Sequence, residues 1–196
     1  MTHRETIAQF IHKVGLHPAW GVNHCQRVYH MIPEICGTHA YDDEVIFIAA
    51  MLHDVGSYPG YALPNMDHAL RSKGIVGNLL NELHYPGEKI PCVLEAVESH
   101  MFYSEPGRSI EAILLRDADI LDFLGNIGLV RLLSLVGLDE WAATPEEALE
   151  RAKTFAEALP GKLQTRIAKR IALKRREETL RFFNGLKRQT VNYLYL

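Results

Sequence analysis

Apolar residues recur at steps of three and four positions along most of the chain. Ile7, Phe10, Ile11 and Val14 show this spacing near the start, and Gly15 follows as a helix-ending residue. The same spacing returns further along the chain, whereas no convincing series of alternating apolar and polar positions indicates strands. The pattern predicts an all-α fold that forms a single compact multi-helix bundle.

Capping and helix-breaking residues predict where the helices begin and end. The first helix is expected to end at Gly15. The second is expected to be capped by Asn23 and to end at the Pro33 break, and the third to run from Asp42 to His53. Later helices are expected to cover about 68–83, 90–100, 109–124 and 165–186. The glycine, proline and asparagine content of residues 56–67 predicts a loop. Thr144, Pro145 and Glu147 predict a helix start, since threonine caps, proline fits the first turn and the glutamate lies three residues after the cap.

The composition is typical of a soluble globular domain. With 196 residues, of which 47% are hydrophobic and 23% charged, the chain is long enough to bury a core. It has no run approaching the roughly 18 apolar residues of a membrane span, and its first residues lack the pattern of a secretory signal. The three cysteines form no CxxC pair, which favours reduced thiols. These features predict a cytoplasmic protein with no membrane partner.

Charge is distributed unevenly, although the net charge is only −3. Residues 1–150 contain nine Lys and Arg against 21 Asp and Glu, whereas residues 151–196 contain 12 against three. The basic segment keeps a helical apolar pattern, so two interpretations stay open: a solvated helix face, or positive charge that serves an anionic substrate. A nucleic-acid partner is disfavoured, because the segment has no interleaved aromatic residues and no groove-reading motif.

Four side chains suited to metal binding follow one another along the chain. His24 precedes the adjacent pair His53 and Asp54, and Asp119 follows much later. Imidazole nitrogens and carboxylate oxygens together suit divalent ions such as Zn, Mn, Fe, Co and Ni. A His-Asp pair at a helix end can turn both side chains toward one ion, and Gly56 lets the backbone turn away directly afterwards. The dipeptide alone is weak evidence, because it occurs often by chance.

The surroundings of these residues resemble three motifs of the HD-domain superfamily in the same order. Residues 48–56, IAAMLHDVG, resemble the sequence around the signature His-Asp pair, and residues 24–28, HCQRV, resemble the first motif. Residues 116–122, RDADILD, are similar to the last motif, whose middle aspartate corresponds to Asp119. The resemblance covers roughly residues 20 to 125. It implies that Asp117 and Asp122 are neighbours that orient or solvate the site.

The resemblance implies a metal-dependent phosphohydrolase of the small stand-alone bacterial type. The whole chain, 1–196, is expected to form one HD domain, with core motifs at about 20–125 and C-terminal helices over 144–190 packing on it. The implied metal ligands are His24, His53, Asp54 and Asp119. The cofactor is one divalent ion, with Mn, Fe, Co, Ni, Zn and Mg not distinguished, and the substrate is a phosphorylated small molecule such as a nucleotide. A homo-oligomer is compatible with these features.

Other side chains are candidates for substrate contact or for a second metal. His68 and His100 lie between the His-Asp pair and Asp119, where two-metal members of the superfamily have further ligands and others have substrate or water contacts. Arg27 lies three residues after His24, hence on the same helix face, and is the main phosphate-binding candidate. Lys73 is a weaker candidate that is chosen for its charge alone.

Two residues of the 56–67 loop, Tyr58 and Tyr61, suggest a further role. The loop directly follows the ligand pair, so its rings could cover the substrate and stack on a base or sugar. A packed surface loop is the alternative.

Two alternative functions stay open at this stage. A mixed-valent diiron oxygenase on the same fold, as in the relatives of myo-inositol oxygenase, would need two irons and therefore both His68 and His100. A non-catalytic nucleotide-sensing module would keep the site but release no phosphate. Metal stoichiometry separates the oxygenase from the hydrolase.

Overall fold

Helices make up all the regular structure in the described part of the chain. A computed structural model describes residues 1–138 and 141–193, and within these ranges no strand occurs. The α-helices are α1 His3–Val14, α2 Val22–Ile35, α3 Asp43–Leu52, α4 His68–Glu82, α5 Ile90–Ser99, α6 Ile110–Asp122, α7 Gly125–Leu133, α8 Pro145–Ala158 and α9 Arg166–Gln189. Two short 3-10 helices cover Val55–Ser57 and Leu159–Lys162. The all-α prediction is confirmed.

The chain divides into two compact units, Met1–Asp119 and Ile120–Leu196, with the boundary inside α6. In the first unit α3 is central, since α1, α2 and α5 all pack against it. Its apolar residues Val45, Ile46 and Ile48 are buried, as expected for a helix that is apolar all round. α4 packs on α5 and on the 3-10 helix that follows the His-Asp pair.

In the second unit α7, α8 and α9 pack against one another in pairs. Phe123 stacks on Trp141 and meets Phe155 edge-on, with ring centroids 5.9 Å and 5.4 Å apart. The Arg131 guanidinium lies 4.2 Å from the Phe123 ring centroid and 3.1 Å from Asp122 Oδ2. Asp122 is thus part of a buried ion pair in this unit. No helix within the described ranges has the length and apolar character to cross a bilayer.

Several helix limits agree with the sequence-based predictions. α3 begins after its Asp42 cap and ends at His53. α8 begins after Thr144, whose hydroxyl accepts a hydrogen bond from the Glu147 N–H at 3.3 Å. The prediction of a single domain with helices 144–190 packed on its core stays a prediction.

The predicted limits of α2 were wrong. α2 starts after Gly21 rather than at an Asn23 cap, because the chain folds tightly there: a Cβ at Gly21 would lie 2.3 Å from the His17 carbonyl oxygen. The helix also continues past Pro33 to Ile35, since a proline so close to the C-terminal end removes only one hydrogen bond.

α7 was not predicted. Two of its glycines, Gly125 and Gly128, weaken the helical pattern. The structure shows why glycine is needed at both: Gly125 has a φ of +72°, and a Cβ at Gly128 would lie 2.1 Å from the Phe123 carbonyl oxygen.

The N-terminus of α3, the helix that leads to the His-Asp pair, is fixed by Asp42. Its Oδ1 accepts hydrogen bonds from the N–H groups of Glu44 at 3.0 Å and Val45 at 3.2 Å. Its Oδ2 lies 2.7 Å from Lys89 Nζ, and its own N–H donates to Glu111 Oε1 at 2.8 Å. One residue therefore joins α3 to the start of α5 and to α6.

We expect Asp42→Ala to lower the free energy of unfolding by about 1–2 kcal/mol, as measured by urea unfolding at pH 7, because a lost carboxylate cap typically costs this much. The hydrogen bond from Lys89, followed by those from the two cap N–H groups, lowers the pKa of Asp42. The stabilisation is therefore complete above the unfolded-state pKa of about 3.9 and disappears as the pH falls through the lower folded-state pKa. The difference between the two proteins should shrink below about pH 4.

Asp42→Ser is the matched control for this test, because serine keeps the cap hydrogen bond without the charge. It should recover most of the stability at pH 7. An Ala variant as stable as the wild type at pH 7 would contradict the role given to the cap.

Candidate metal centre

Two histidines from neighbouring helices bring their ring nitrogens face to face. His24 lies in α2 and His53 at the C-terminal end of α3, and their Nε2 atoms are 3.1 Å apart. His53 Nδ1 lies 2.8 Å from the Ala50 carbonyl oxygen and donates to it. The lone pair of the neutral His53 ring is therefore on Nε2, which faces His24.

The Asp54 carboxylate lies between two pairs of histidines. Its Oδ2 is 3.5 Å from His24 Nε2 and 3.3 Å from His53 Nε2. Its Oδ1 is 3.4 Å from His68 Nε2 and 3.5 Å from His100 Nε2. The two histidines predicted as substrate or second-metal candidates thus meet the His-Asp pair directly, at the other oxygen of the same carboxylate.

Asp119 completes the cluster from α6. Its Oδ1 lies 3.3 Å from His24 Nε2. Its Oδ2 is buried and has no hydrogen-bond partner among the described residues. A buried carboxylate oxygen without a donor is costly unless a cation takes that place.

The predicted ligands form two overlapping groups with metal-binding geometry. His24, His53 and Asp119 form one group, and His53, Asp54 and His100 the other, with the ligand atoms of each within 4.8 Å of one another. Every member is buried. His68 is the most open residue of the cluster, with 24% of its side chain exposed.

The histidines keep both carboxylates ionised in spite of their burial. Burial alone would raise the pKa of Asp54, but His53, His100 and His68 hold it well below its usual range. Burial acts in the same way on Asp119, and there His24 is the main group that lowers the pKa. Two negative charges therefore lie inside a buried cluster.

The histidines respond to those charges differently. Burial opposes protonation of His53, but Asp54 and Asp119 raise its pKa to about 9. Burial also opposes protonation of His68, and Asp54 raises its pKa. For His100 burial dominates and lowers the pKa, so this ring is neutral near pH 7. The cluster therefore attracts positive charge: near pH 7 His53 is protonated unless a cation takes the place of its Nε2 proton, whereas His100 is uncharged.

These residues fit a divalent metal ion. Ionised carboxylates, Nε2 atoms that face one another and the Asp119 Oδ2 form the mixed nitrogen and oxygen donor set that such ions prefer. The donor set does not distinguish Mn, Fe, Co, Ni, Zn and Mg.

The two predicted phosphate-binding cations are placed differently. Arg27 is half-buried on α2, three residues after His24 and so on the same helix face. Lys73 Nζ lies 2.6 Å from Glu98 Oε2, near the protein surface. A substrate would have to compete with Glu98 for Lys73, so the structure adds no support for that candidate.

The tyrosines of the 56–67 loop do not form an open stacking surface. Tyr58 is fully buried, and its hydroxyl donates to the Trp20 carbonyl oxygen at 2.9 Å. The Tyr61 ring meets Phe10 edge-on at 5.9 Å, and its carbonyl oxygen accepts from Arg71 Nε at 2.9 Å. The interpretation as a packed loop is the correct one, because both rings are used in packing.

Two residues near the cluster were not singled out from the sequence. Arg116 is 2% exposed, and its guanidinium binds backbone carbonyls around His100. Tyr103 is 55% exposed, and its hydroxyl donates to Asp67 Oδ2 at 2.7 Å, directly before His68. The position of Arg116 within the RDADILD motif was the one available signal, whereas nothing in the sequence pointed to Tyr103.

The comparisons with known proteins agree with this geometry. Residues 21–124, more than half of the chain, match the family model described as HD domain. No curated protein sequence gives a significant match.

Three solved structures share the fold over most of the chain. A predicted HD superfamily hydrolase from an uncultured Thermotogales bacterium is 23% identical, with TM-score 0.69, and the match covers 95% of this chain and 92% of that one. An HD-superfamily hydrolase from Bacillus thuringiensis is 25% identical, with TM-score 0.67 and 95% of each chain covered. YpgQ from Bacillus subtilis, crystallised with ADP, is 21% identical, with TM-score 0.69 and coverage of 95% and 97%. Together with the family match and the His-Asp cluster, these likenesses show that the chain belongs to the HD-domain family.

Proposed function

We propose that the protein is a metal-dependent phosphohydrolase that cleaves a phosphate ester or anhydride of a nucleotide-like small molecule. The observation that carries the proposal is the buried cluster in which Asp54 and Asp119 stay ionised between histidine nitrogens. Membership of the HD-domain family supports it, as does the likeness to structures described as HD-superfamily hydrolases.

The proposed ligands of the divalent metal are His24, His53, Asp54 and Asp119. A divalent ion bound there would lower the pKa of a coordinated water toward about 7 and withdraw charge from phosphorus. The Nδ1 hydrogen bond from His53 to the Ala50 carbonyl holds that ring in the orientation that ligation requires.

Asp54 has a second proposed role, in orienting the attacking water. Its carboxylate is ionised and can accept a hydrogen bond from that water. The Nε2 atoms of His68 and His100 lie 3.4 Å and 3.5 Å from its Oδ1 on the other side. Because His68 is partly exposed, the substrate is proposed to enter on its side of the cluster.

Arg27 is the proposed phosphate-binding cation. Its place on the His24 face of α2 lets a guanidinium approach the phosphoryl group while His24 binds metal. Fixed positive charge at this point would stabilise the negative charge that develops on the transferred group.

A nucleotide is the proposed substrate class. Bacillus subtilis YpgQ, which shares the fold, was crystallised with ADP. The proposal extends that nucleotide binding to this chain, where the partly exposed His68 leaves the cluster accessible.

A mixed-valent diiron oxygenase is the second candidate function. The observation that favours it is the position of His68 and His100, which face Asp54 Oδ1 while the other pair faces Oδ2. This arrangement offers nitrogen ligands on both sides of one carboxylate, as a two-metal site requires. The metal content of the purified protein separates the two functions.

We expect His53→Ala or Asp54→Ala to abolish both metal retention and phosphate release, because each change removes a ligand and unbalances the buried charges. Elemental analysis after gel filtration and a phosphate-release assay measure the two effects. His30→Ala is the matched control, since His30 is an exposed histidine on the same helix as His24. Metal content and rate that survive in either ligand variant would refute the assignment.

Wild-type protein is expected to retain one divalent ion per chain and to release phosphate from part of a nucleotide panel. The measurement is a screen of Mn, Fe, Co, Ni, Zn and Mg against nucleoside mono-, di- and triphosphates. Two irons per chain with oxygen uptake would favour the oxygenase instead. Nucleotide binding without phosphate release under every metal would favour a sensing module.

Arg27→Gln is expected to lower kcat/KM by about 10–100-fold while metal content stays unchanged, because the change removes charge stabilisation at the phosphoryl group but leaves every ligand in place. Steady-state kinetics and elemental analysis on the same sample provide the test. Loss of the metal, or an unchanged kcat/KM, would show that Arg27 has another role.

A further inference from the structure

Arg116 binds the backbone around His100 from the neighbouring helix. Its Nη1 donates to the carbonyl oxygens of Ser99, at 3.1 Å, and of Met101. Its Nη2 donates to the Phe102 carbonyl oxygen at 3.1 Å. One guanidinium therefore holds the residues on both sides of His100.

These hydrogen bonds satisfy carbonyl groups at the C-terminal end of α5. The last carbonyls of a helix have no partner within the helix, and a cation near them also complements the helix dipole. α5 does not end on a glycine in the left-handed conformation. His100 occupies its C-cap, with a right-handed helical backbone. The buried guanidinium of Arg116 takes over that capping role.

The position of His100 decides where its Nε2 points. Its Nδ1 donates to the Val97 carbonyl oxygen at 2.6 Å, which leaves Nε2 3.5 Å from Asp54 Oδ1 and 3.3 Å from His68 Nε2. A small shift of the backbone at Ser99 or Met101 would move that nitrogen away from Asp54.

The same guanidinium belongs to the helix that carries Asp119. Arg116 lies three residues before Asp119 on α6. About one helical turn therefore separates Asp119, a proposed metal ligand, from the guanidinium that holds the backbone around His100. Burial lowers the pKa of Arg116, and Asp117, Asp119 and Glu105 oppose that effect. The charge buried here is thus matched by acidic groups on or near its own helix.

We propose that Arg116 is a positioning residue that fixes His100 relative to Asp119, so that the two sides of the cluster keep their spacing. The expected loss of activity rests on the proposed function. The expected displacement of the His100 ring does not, because it follows from the contacts of Arg116 whatever reaction the cluster supports.

The first test follows the histidine rings by NMR in protein labelled with 15N-histidine, with and without Zn²⁺. Arg116→Gln should shift or broaden the His100 ring signals, which His100→Gln serves to assign, while the His24 and His53 signals stay in place. Arg116→Lys keeps the charge and should restore part of the wild-type His100 signal. If His100 is unaffected, or if all three rings change alike, the proposal is overturned.

The second test is a double-mutant cycle on kcat/KM. Arg116→Gln is expected to reduce activity about tenfold or more, as is usual for residues that orient functional groups. If Arg116 acts through His100, adding Arg116→Gln to His100→Ala should have no further effect. Losses that multiply would overturn the proposal.

Arg151→Gln is the control for both tests, because Arg151 Nε also donates to a backbone carbonyl, that of Trp141, at 2.8 Å in the second unit. It should change neither the ring signals nor the rate. A wild-type protein without phosphatase activity would refute the proposed function, but the NMR result would still decide the role of Arg116.

Discussion

The structure of the first unit depends on one electrostatic constraint, the burial of the ionised Asp54 and Asp119. A buried carboxylate without compensation is destabilising by several kcal/mol, so its partners must come from nearby elements and hold their positions. Four histidine Nε2 atoms lie within 3.5 Å of the Asp54 carboxylate, and they come from or lie at the ends of α2, α3, α4 and α5. The buried charges therefore require these helices to converge. The cluster thus affects the stability of the fold as well as the proposed metal binding.

The helix ends meet this requirement through a repeated local arrangement. His53 and His100 both occupy the C-cap of a helix, and each donates Nδ1–H to the carbonyl three residues earlier. Each ring thereby satisfies a carbonyl that the ending helix leaves without a partner, and it turns Nε2 toward Asp54. His68 meets the same carboxylate from the opposite kind of position, as the first residue of α4 after its Asp67 cap.

Sequence reasoning predicted the residues that meet in the cluster but not the residues that hold them in place. His24, the His53 and Asp54 pair and Asp119 were accessible because each lies in a motif whose order identifies the family. The roles of Arg116 and Tyr103 depend on which backbone carbonyl or carboxylate lies opposite them across helices, and no periodicity encodes that. Helix existence was predictable wherever the apolar spacing is regular. α7 was missed because its glycines serve backbone conformation and close packing, as at Gly128, and weaken the helical pattern.

The charges of the cluster also bear on how a substrate would complete it. Two ionised carboxylates, Asp54 and Asp119, balance one divalent cation when the histidines are neutral, so a single ion gives a buried site with no net charge. A second cation beside His68 and His100 would leave an excess of two positive charges, which the surrounding protein would have to offset. A phosphate group of the proposed substrate could do so by binding beside the partly exposed His68. Occupancy of the second position would then depend on the bound substrate, which connects the number of metals to the reaction itself.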